Sequence, residues 1–306
     1  MTHALHPDMA ILREAQKGAY GGATIEAQRA DWSRYAASLA EPPPADMTVE
    51  DRTLPVPTGP VKVRLYTAAQ PSGAALVYMH GGGFMKGDLD SSDAVAWGFC
   101  AQTGATVVSV DYRLTPEHPF PAAFDDSLGV LRHIFEHPGQ FGIDPARLGV
   151  IGDSAGGTLA ISLALAARNG IAPALRCQAA IYAGIQTDKT LPSYTENATG
   201  LGLTTASSTR YQTMLLTRPE DWENEYARPV LAAHFRGLAP ALVHTAQFDP
   251  IRDDGRLYAS RLALDGVDVT YREARGMIHG FMRARFKGAG VRAEYDAICD
   301  FLRSRL

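Results

Sequence analysis

The sequence predicts an α/β protein with a mostly parallel central sheet, helices on both faces and a helical cap. Three observations carry that expectation. Strand-like apolar runs alternate with helical patterns from about residue 74 to the C-terminus. Several of those runs, Ala74-Ala75-Leu76-Val77-Tyr78-Met79 among them, are apolar throughout, as strands covered on both faces are. The alternation breaks once, between Gln186 and Ala239, over a stretch too long for an ordinary strand–helix connection.

Taken in order, residues 8–40 read as helices. Met9, Ile11, Leu12 and Ala15 form one apolar stripe, and Trp32, Tyr35 and Leu39 form another. Glu41-Pro42-Pro43-Pro44 stops the second. By pattern alone these helices suit a lid or an extension packed on the sheet. Val61-Lys62-Val63-Arg64-Leu65-Tyr66 alternates apolar and polar after the turn Thr58-Gly59-Pro60, which reads as an antiparallel edge hairpin. The buried strand at 74–79 follows, then helix 91–103, strand 106–110, helix 121–136, a strand from Leu148, helix 155–168 and strand 176–182. The interrupted stretch is rich in Ser, Thr, Asn and Gly, and reads as a second cap piece over the C-terminal strand ends, where open α/β sheets bind ligands. Strand 240–246, helix 254–265, strand 267–272 and helix 291–305 complete the chain. The expected division is 1–45 cap helices, 46–185 first part of the catalytic domain, 186–225 cap insertion and 226–306 second part.

The 306 residues are 46% hydrophobic and 20% charged with net charge -4, a balance that gives no support to nucleic-acid binding. The short run Arg283-Ala284-Arg285-Phe286-Lys287 reads as a solvated surface face. Cys100, Cys177 and Cys299 are too widely spaced for a disulfide framework or a zinc site, and no cofactor or metal is implied. No secretory signal or membrane span is visible, which makes a cytoplasmic protein the expectation.

Chemistry concentrates at Gly152-Asp153-Ser154-Ala155-Gly156-Gly157, a Gly-X-Ser-X-Gly between an apolar strand and a helix. Ser154 then sits on a sharp turn, with the positive end of the following helix beside it. His80-Gly81-Gly82-Gly83-Phe84 ends the first buried strand. Three successive glycines suit unusual dihedrals or close ligand approach, and no Gly-Lys-Ser/Thr follows to make a phosphate loop. A serine nucleophile needs a base and an acid that orients it, which in such sheets follow in the order Ser, Asp, His. Asp249 and His279 lie just past two later strands. Asp253 and Asp254 suit the start of a helix, with capping as their role, and Asp153 suits a turn-stabilising acceptor. His244 falls inside a strand, and His118, His133, His137 and His234 lack a strand-end glycine context.

Together with Asp111-Tyr112-Arg113-Leu114, Phe120-Pro121-Ala122-Ala123, Asp249-Pro250 and Gly276-Met277-Ile278-His279-Gly280-Phe281, these motifs resemble the hormone-sensitive-lipase group of carboxylesterases, bacterial family IV of the α/β-hydrolase superfamily. The resemblance runs from about Tyr78 to Phe281. It implies the α/β-hydrolase fold, Ser154 as nucleophile, His279 as base and Asp249 as its partner. It implies an oxyanion hole from the N–H groups of Gly82, Gly83 and Ala155, with His80 and Gly81 supporting the loop. The implied partner is a small ester, and the implied reaction is hydrolysis of short- to medium-chain acyl esters through an acyl-enzyme. An amide, carbamate or lactone hydrolase on the same triad, or a small-molecule receptor on the same fold, are the rival readings. Relatives commonly pair through the edge strand nearest the last helix, so a homodimer is the expectation on that ground. The chain departs from the group's pattern at Tyr182-Ala183-Gly184, Ala227-Arg228-Pro229 and Thr115, positions that bear on the pocket wall.

Overall fold

The structure is a computed structural model that describes residues 4–18 and 21–306. Residues 1–3, at the start of the stretch without a secretory signal, and residues 19–20 of the first cap segment lie outside the described residues.

In chain order the elements are α1 (Met9–Gln16), α2 (Ile25–Leu39), β1 (Thr48–Val56), β2 (Gly59–Thr67), β3 (Ala75–Met79), α3 (Leu89–Thr103), β4 (Thr106–Val110), α4 (Ala122–Glu136), β5 (Leu148–Asp153), α5 (Ala155–Arg168), β6 (Cys177–Ile181), α6 (Ser193–Glu196), α7 (Thr205–Leu215), β7 (Ala241–Phe248), α8 (Arg252–Leu264), β8 (Val269–Ile278) and α9 (Ala289–Arg305). The strands form one sheet in the order β1-β2-β4-β3-β5-β6-β7-β8. β1 and β2 make the expected antiparallel hairpin at one edge, and β2 pairs antiparallel with β4. From β4 to β8 every pairing is parallel.

Burial explains the composition of these strands. β3, β4, β5 and β6 are buried along their whole length, so each face must be apolar. One face packs Trp97, Phe99, Tyr295 and Leu302 from α3 and α9. The other packs Leu128 and Leu131 from α4 with Leu159 and Leu163 from α5. α5 carries almost no polar residue because it is buried nearly throughout. α1 and α2 lie beyond the sheet, and Arg29 of α2 ties them to it by donating to the Met85 and Thr115 carbonyls at 2.9 and 3.0 Å.

Four expectations need correction. The last strand does not stop at residue 272 but runs to Ile278, because the ladder with β7 resumes after an irregularity and pairs Phe248 with Ile278. The basic run after His279 is not a solvated face: Arg283 and Arg285 are each 6% exposed. The Arg285 guanidinium donates to the Ala94 carbonyl at 2.6 Å and lies 4.0–4.5 Å from the rings of Trp97, Phe286 and Tyr295, which replaces its hydration. Asp253 and Asp254 lie in the first turn of α8, as expected, but do not cap it. Asp254, fully buried, accepts from the Ile185 and Thr187 N–H groups and from the Tyr194 hydroxyl at 2.7 Å, while Asp253 accepts from the Ser193 N–H. Both carboxylates therefore anchor the segment between β6 and β7. Burial pushes the Asp254 carboxyl up to about 6 against those hydrogen bonds. Asp153, finally, reaches well beyond its own turn, as the site shows.

Candidate active site

Three chain reversals at the C-terminal ends of β3, β5 and the β7–β8 pair build the site. At the end of β5 the chain turns so sharply that Ser154 has φ 55° and ψ -119°. A non-glycine residue there is strained, and such strain persists only where surroundings enforce it. The enforcement is close packing: a side chain on Gly152 would strike the Gly156 backbone, and one on Gly156 would strike the Met79 carbonyl. Ser154 is thus held at the tip, with α5 starting at the next residue.

Past β7, Asp249 is fully buried, and its Oδ1 accepts from the Ile251 N–H at 3.0 Å. Its Oδ2 lies 2.6 Å from His279 Nδ1, just beyond β8. With Nδ1–H committed to Asp249, His279 Nε2 is left as an acceptor, and it lies 2.8 Å from Ser154 Oγ. The Tyr182 ring packs against the imidazole at 4.9 Å between centroids. The three residues expected to act together therefore form one hydrogen-bonded chain. His244 is not part of it; its Nε2 meets Glu294 of α9 at 2.9 Å.

After β3, the glycine loop turns beside Ser154. Gly82 has φ 144° and Gly83 φ 66°, a run open only to glycine. The loop closes on itself through Lys86 N–H to Gly82 O at 3.0 Å. Among the described residues the N–H groups of Gly82 and Gly83 have no carbonyl partner, and Ala155 N–H is the first of α5, where no intrahelical partner exists. His80 is buried, stacked on Tyr112 at 4.4 Å, and its carbonyl accepts from the Tyr112 hydroxyl at 2.6 Å. Burial lowers the pKa of that imidazole.

Asp153 holds the loop from below. Its Oδ1 accepts from the Gly81 N–H at 2.9 Å and the Tyr78 hydroxyl at 2.7 Å, and its Oδ2 from the Tyr182 hydroxyl at 3.2 Å. Arg283 supplies the opposing charge. Its burial works against ionisation, but Asp153 and the hydroxyls of Tyr35, Tyr78 and Tyr182 outweigh that and hold its pKa above the ordinary value. Burial and the Asp153 charge raise Tyr78 and Tyr182 well above the usual phenol.

A cavity of about 30 Å³ meets Ser154, His279, Gly82 and Gly83, walled by Trp32, Tyr35, Tyr182 and Arg283. It shares Gln16, Lys86, Gly202, Leu203 and Tyr211 with a funnel of about 710 Å³ that opens between α1 and α7. On the other side of Ser154 lies a second cavity of about 50 Å³, lined by Ala155, Thr158, Gly184, Tyr194 and Ile251. The wall residues Lys86, Tyr211 and Arg283 were not legible as site residues. The lysine inside His80-Gly81-Gly82-Gly83-Phe84-Met85-Lys86 was the available signal, since a charge in that loop must face either solvent or a ligand.

The alpha/beta hydrolase fold family matches residues 76–283, from β3 through His279. The chain belongs to the α/β-hydrolase family. It is 37% identical over 248 residues to the esterase LipI of Mycobacterium tuberculosis, covering 79% of this chain and 77% of that protein. It is 36% identical over 295 residues to the ethyl acetate hydrolase of Pseudomonas putida, covering 92% of each. Among solved structures, the hyperthermophilic esterase of the archaeon Pyrobaculum calidifontis superposes with a TM-score of 0.91 at 33% identity over 98% of both chains. The chain is a carboxylic ester hydrolase of the hormone-sensitive-lipase group. Among the described residues, no helix is long and apolar enough to cross a membrane.

Proposed function

We propose that this α/β-hydrolase cleaves short- to medium-chain acyl esters through an acyl-enzyme on Ser154. The observation that carries the proposal is the hydrogen-bonded chain from Ser154 Oγ through His279 to buried Asp249, facing a cavity beside unpartnered loop N–H groups. In this reading His279 Nε2 takes the hydroxyl proton as Ser154 attacks the ester carbonyl. Asp249 keeps the imidazole in the right tautomer and faces the imidazolium that forms. The oxyanion is held by the N–H groups of Gly82, Gly83 and Ala155, each worth about 3–4 kcal/mol in the transition state. His80 and Gly81 support that loop. The protonated His279 gives its proton to the leaving alcohol, and water then repeats the attack.

The cavity of about 50 Å³ suits the acyl group. At roughly 10–15 Å³ per water-sized group it has room for about four heavy atoms, which fits the short end of the range. The described parts of segments 1–45 and 186–225 act as the cap, since Gln16, Trp32, Tyr35, Leu203 and Tyr211 wall the cavity. Three buried free thiols, Cys100, Cys177 and Cys299, support a reducing, cytoplasmic setting. A homodimer through the β8 edge completes the reading, and sedimentation with and without a charge reversal at Arg272 tests it.

The function is tested by hydrolysis of a p-nitrophenyl ester series from acetyl to long acyl chains, with Ser154→Ala alongside. Rapid turnover of short esters, lost by about 10⁴–10⁶ in the mutant, is expected. No turnover by folded protein, or turnover retained by Ser154→Ala, refutes the proposal.

A further inference from the structure

The approach to Ser154 carries a charge that the molecule as a whole does not. The chain has a net charge of -4, yet the funnel is lined by Arg13, Lys17, Lys86 and Arg210 against one carboxylate among the described residues, Glu14. Glu14 is itself paired with Lys17 at 2.6 Å on the exposed rim. An excess of positive charge is left along α1, α7 and the glycine loop.

Lys86 stands where the funnel narrows into the reaction cavity and lines both. It is 2% exposed. Its Nζ donates to the Tyr211 hydroxyl at 3.0 Å and lies 4.9 Å from the Trp32 ring centroid and 5.4 Å from that of Tyr211. Burial, then the positive charges of Arg210 and Arg283, bring its pKa down to about 8, with Asp31 of α2 acting the other way. It is therefore still mostly an ammonium at neutral pH. Proton transfer at Ser154 and His279 makes no use of that charge. A neutral alkyl ester gains nothing from a largely desolvated cation, whereas an anion seated beside it does.

The geometry also separates the two halves of an ester. The leaving oxygen must sit at His279 Nε2, and His279 and Gly280 line the cavity that opens into the funnel. The cavity on the far side of Ser154 shares Gly83, Leu203 and Tyr211 with it, but has Ala155, Thr158 and Gly184 where the first has His279, Gly280 and Lys86. The alcohol half thus points toward Lys86 and the acyl half away from it.

We infer that the alcohol portion of the substrate carries a carboxylate, received by Lys86 at the cavity mouth and by Arg210 in the funnel. The inference rests on the esterase reading above and names its substrate class: short acyl esters of hydroxy acids. The bond balance is unchanged. Ser154 takes the acyl group, the hydroxy acid leaves with the proton from His279, and water releases the short carboxylic acid.

The test compares the acetyl ester of hydroxybutanoic acid with the acetyl ester of hydroxybutanamide, which is neutral and nearly the same size. Monoethyl succinate and its neutral amide counterpart place the same carboxylate on the acyl side. The readout is the ratio of kcat/KM within each pair, for the wild type, Lys86→Met and Arg210→Gln. The hydroxybutanoate ester should be preferred by about tenfold or more, as a charge-assisted contact supplies. The preference should be lost in Lys86→Met, reduced in Arg210→Gln and weakened by salt, and the succinate pair should show none. Arg210→Gln, on the cap, keeps the test decisive if Lys86→Met does not fold. A wild-type ratio near one, a preference untouched by the substitutions, or a preference confined to the succinate pair overturns the inference. If the neutral esters turn over without preference, this inference alone fails. If no ester turns over, the esterase reading fails and takes the inference with it.

Discussion

Asp153→Asn tests how the proposed oxyanion loop is held. Three donors converge on that carboxylate: the Tyr78 hydroxyl at 2.7 Å, the Gly81 N–H at 2.9 Å and the Tyr182 hydroxyl at 3.2 Å. Asparagine keeps the shape but offers one acceptor oxygen and turns an NH2 group toward a donor. Hydrogen bonds to a charged group are worth about 1.5–3 kcal/mol each. Arg283, nearby and buried, also loses a negative charge in its surroundings. Asparagine can keep about one of the three hydrogen bonds, and losses at one group do not fully add, so about 3–5 kcal/mol of stability is expected to go. The catalytic effect follows from Gly81. Once its N–H is released, Gly82 and Gly83 should drift from the position proposed for the oxyanion. Removing one such donor outright costs about 10²–10³ in kcat, so misplacing the pair should cost roughly 10–100-fold. KM should change little, because the loop N–H groups act mainly in the transition state. The assay is a urea melt together with kcat and KM on p-nitrophenyl acetate, at a temperature where both proteins are folded. Lower stability with an unchanged kcat per folded molecule would make Asp153 a packing element only and refute the reasoning.

Other predictions follow from the same contacts. Gly82→Ala puts a methyl group into the Lys86 carbonyl at a φ of 144°, so kcat should fall by about 10² or more while the circular dichroism spectrum stays native. The preference for an anionic ester should decline as pH rises through about 8, where Lys86, facing Arg210, Arg283, Asp31 and the Tyr211 hydroxyl, loses its proton; kcat/KM ratios between pH 7 and 9 check this. Glu294 ties α9 to the sheet. Burial opposes its charge, but His244 and Arg272 bring its pKa down to about 2. A carboxyl lowered on folding stabilises above its unfolded pKa of about 4.3 and loses that contribution as pH falls toward 2. Glu294→Gln should therefore cost about 1–2 kcal/mol at pH 7, discounted for solvent screening, and the deficit should vanish near pH 2 in denaturant melts.

The elements legible in the sequence were those whose pattern is set by burial on known faces. β3, β4 and β5 read as continuous apolar runs because helices cover them on both sides. That Ser154, Asp249 and His279 meet was legible because each follows a strand end, and a parallel sheet gathers those ends at one edge. The errors arose where long-range pairing overrides local composition. Arg283 and Arg285 read as surface residues because nothing nearby in sequence shows Asp153, Ser91 or the ring cluster that receives them. Asp254 does open α8, but it looked like a capping residue, and its partners Ile185, Thr187 and Tyr194 lie about sixty or more residues earlier. Thr270-Tyr271-Arg272-Glu273 alternates too weakly to predict that β8 continues, since that edge is half exposed and the ladder resumes only after an irregularity. The pocket wall was illegible for a similar reason. Lys86, Tyr211 and Arg283 come from three separate parts of the chain and meet only in the folded cap.

The most direct measurement is intact-protein and peptide mass spectrometry after rapid quenching of the enzyme with p-nitrophenyl acetate. The account predicts one added acetyl group, carried by the peptide containing Ser154 and absent from Ser154→Ala. Hydrolysis proceeding with no acetyl on Ser154, or with the acetyl on another residue, would contradict it.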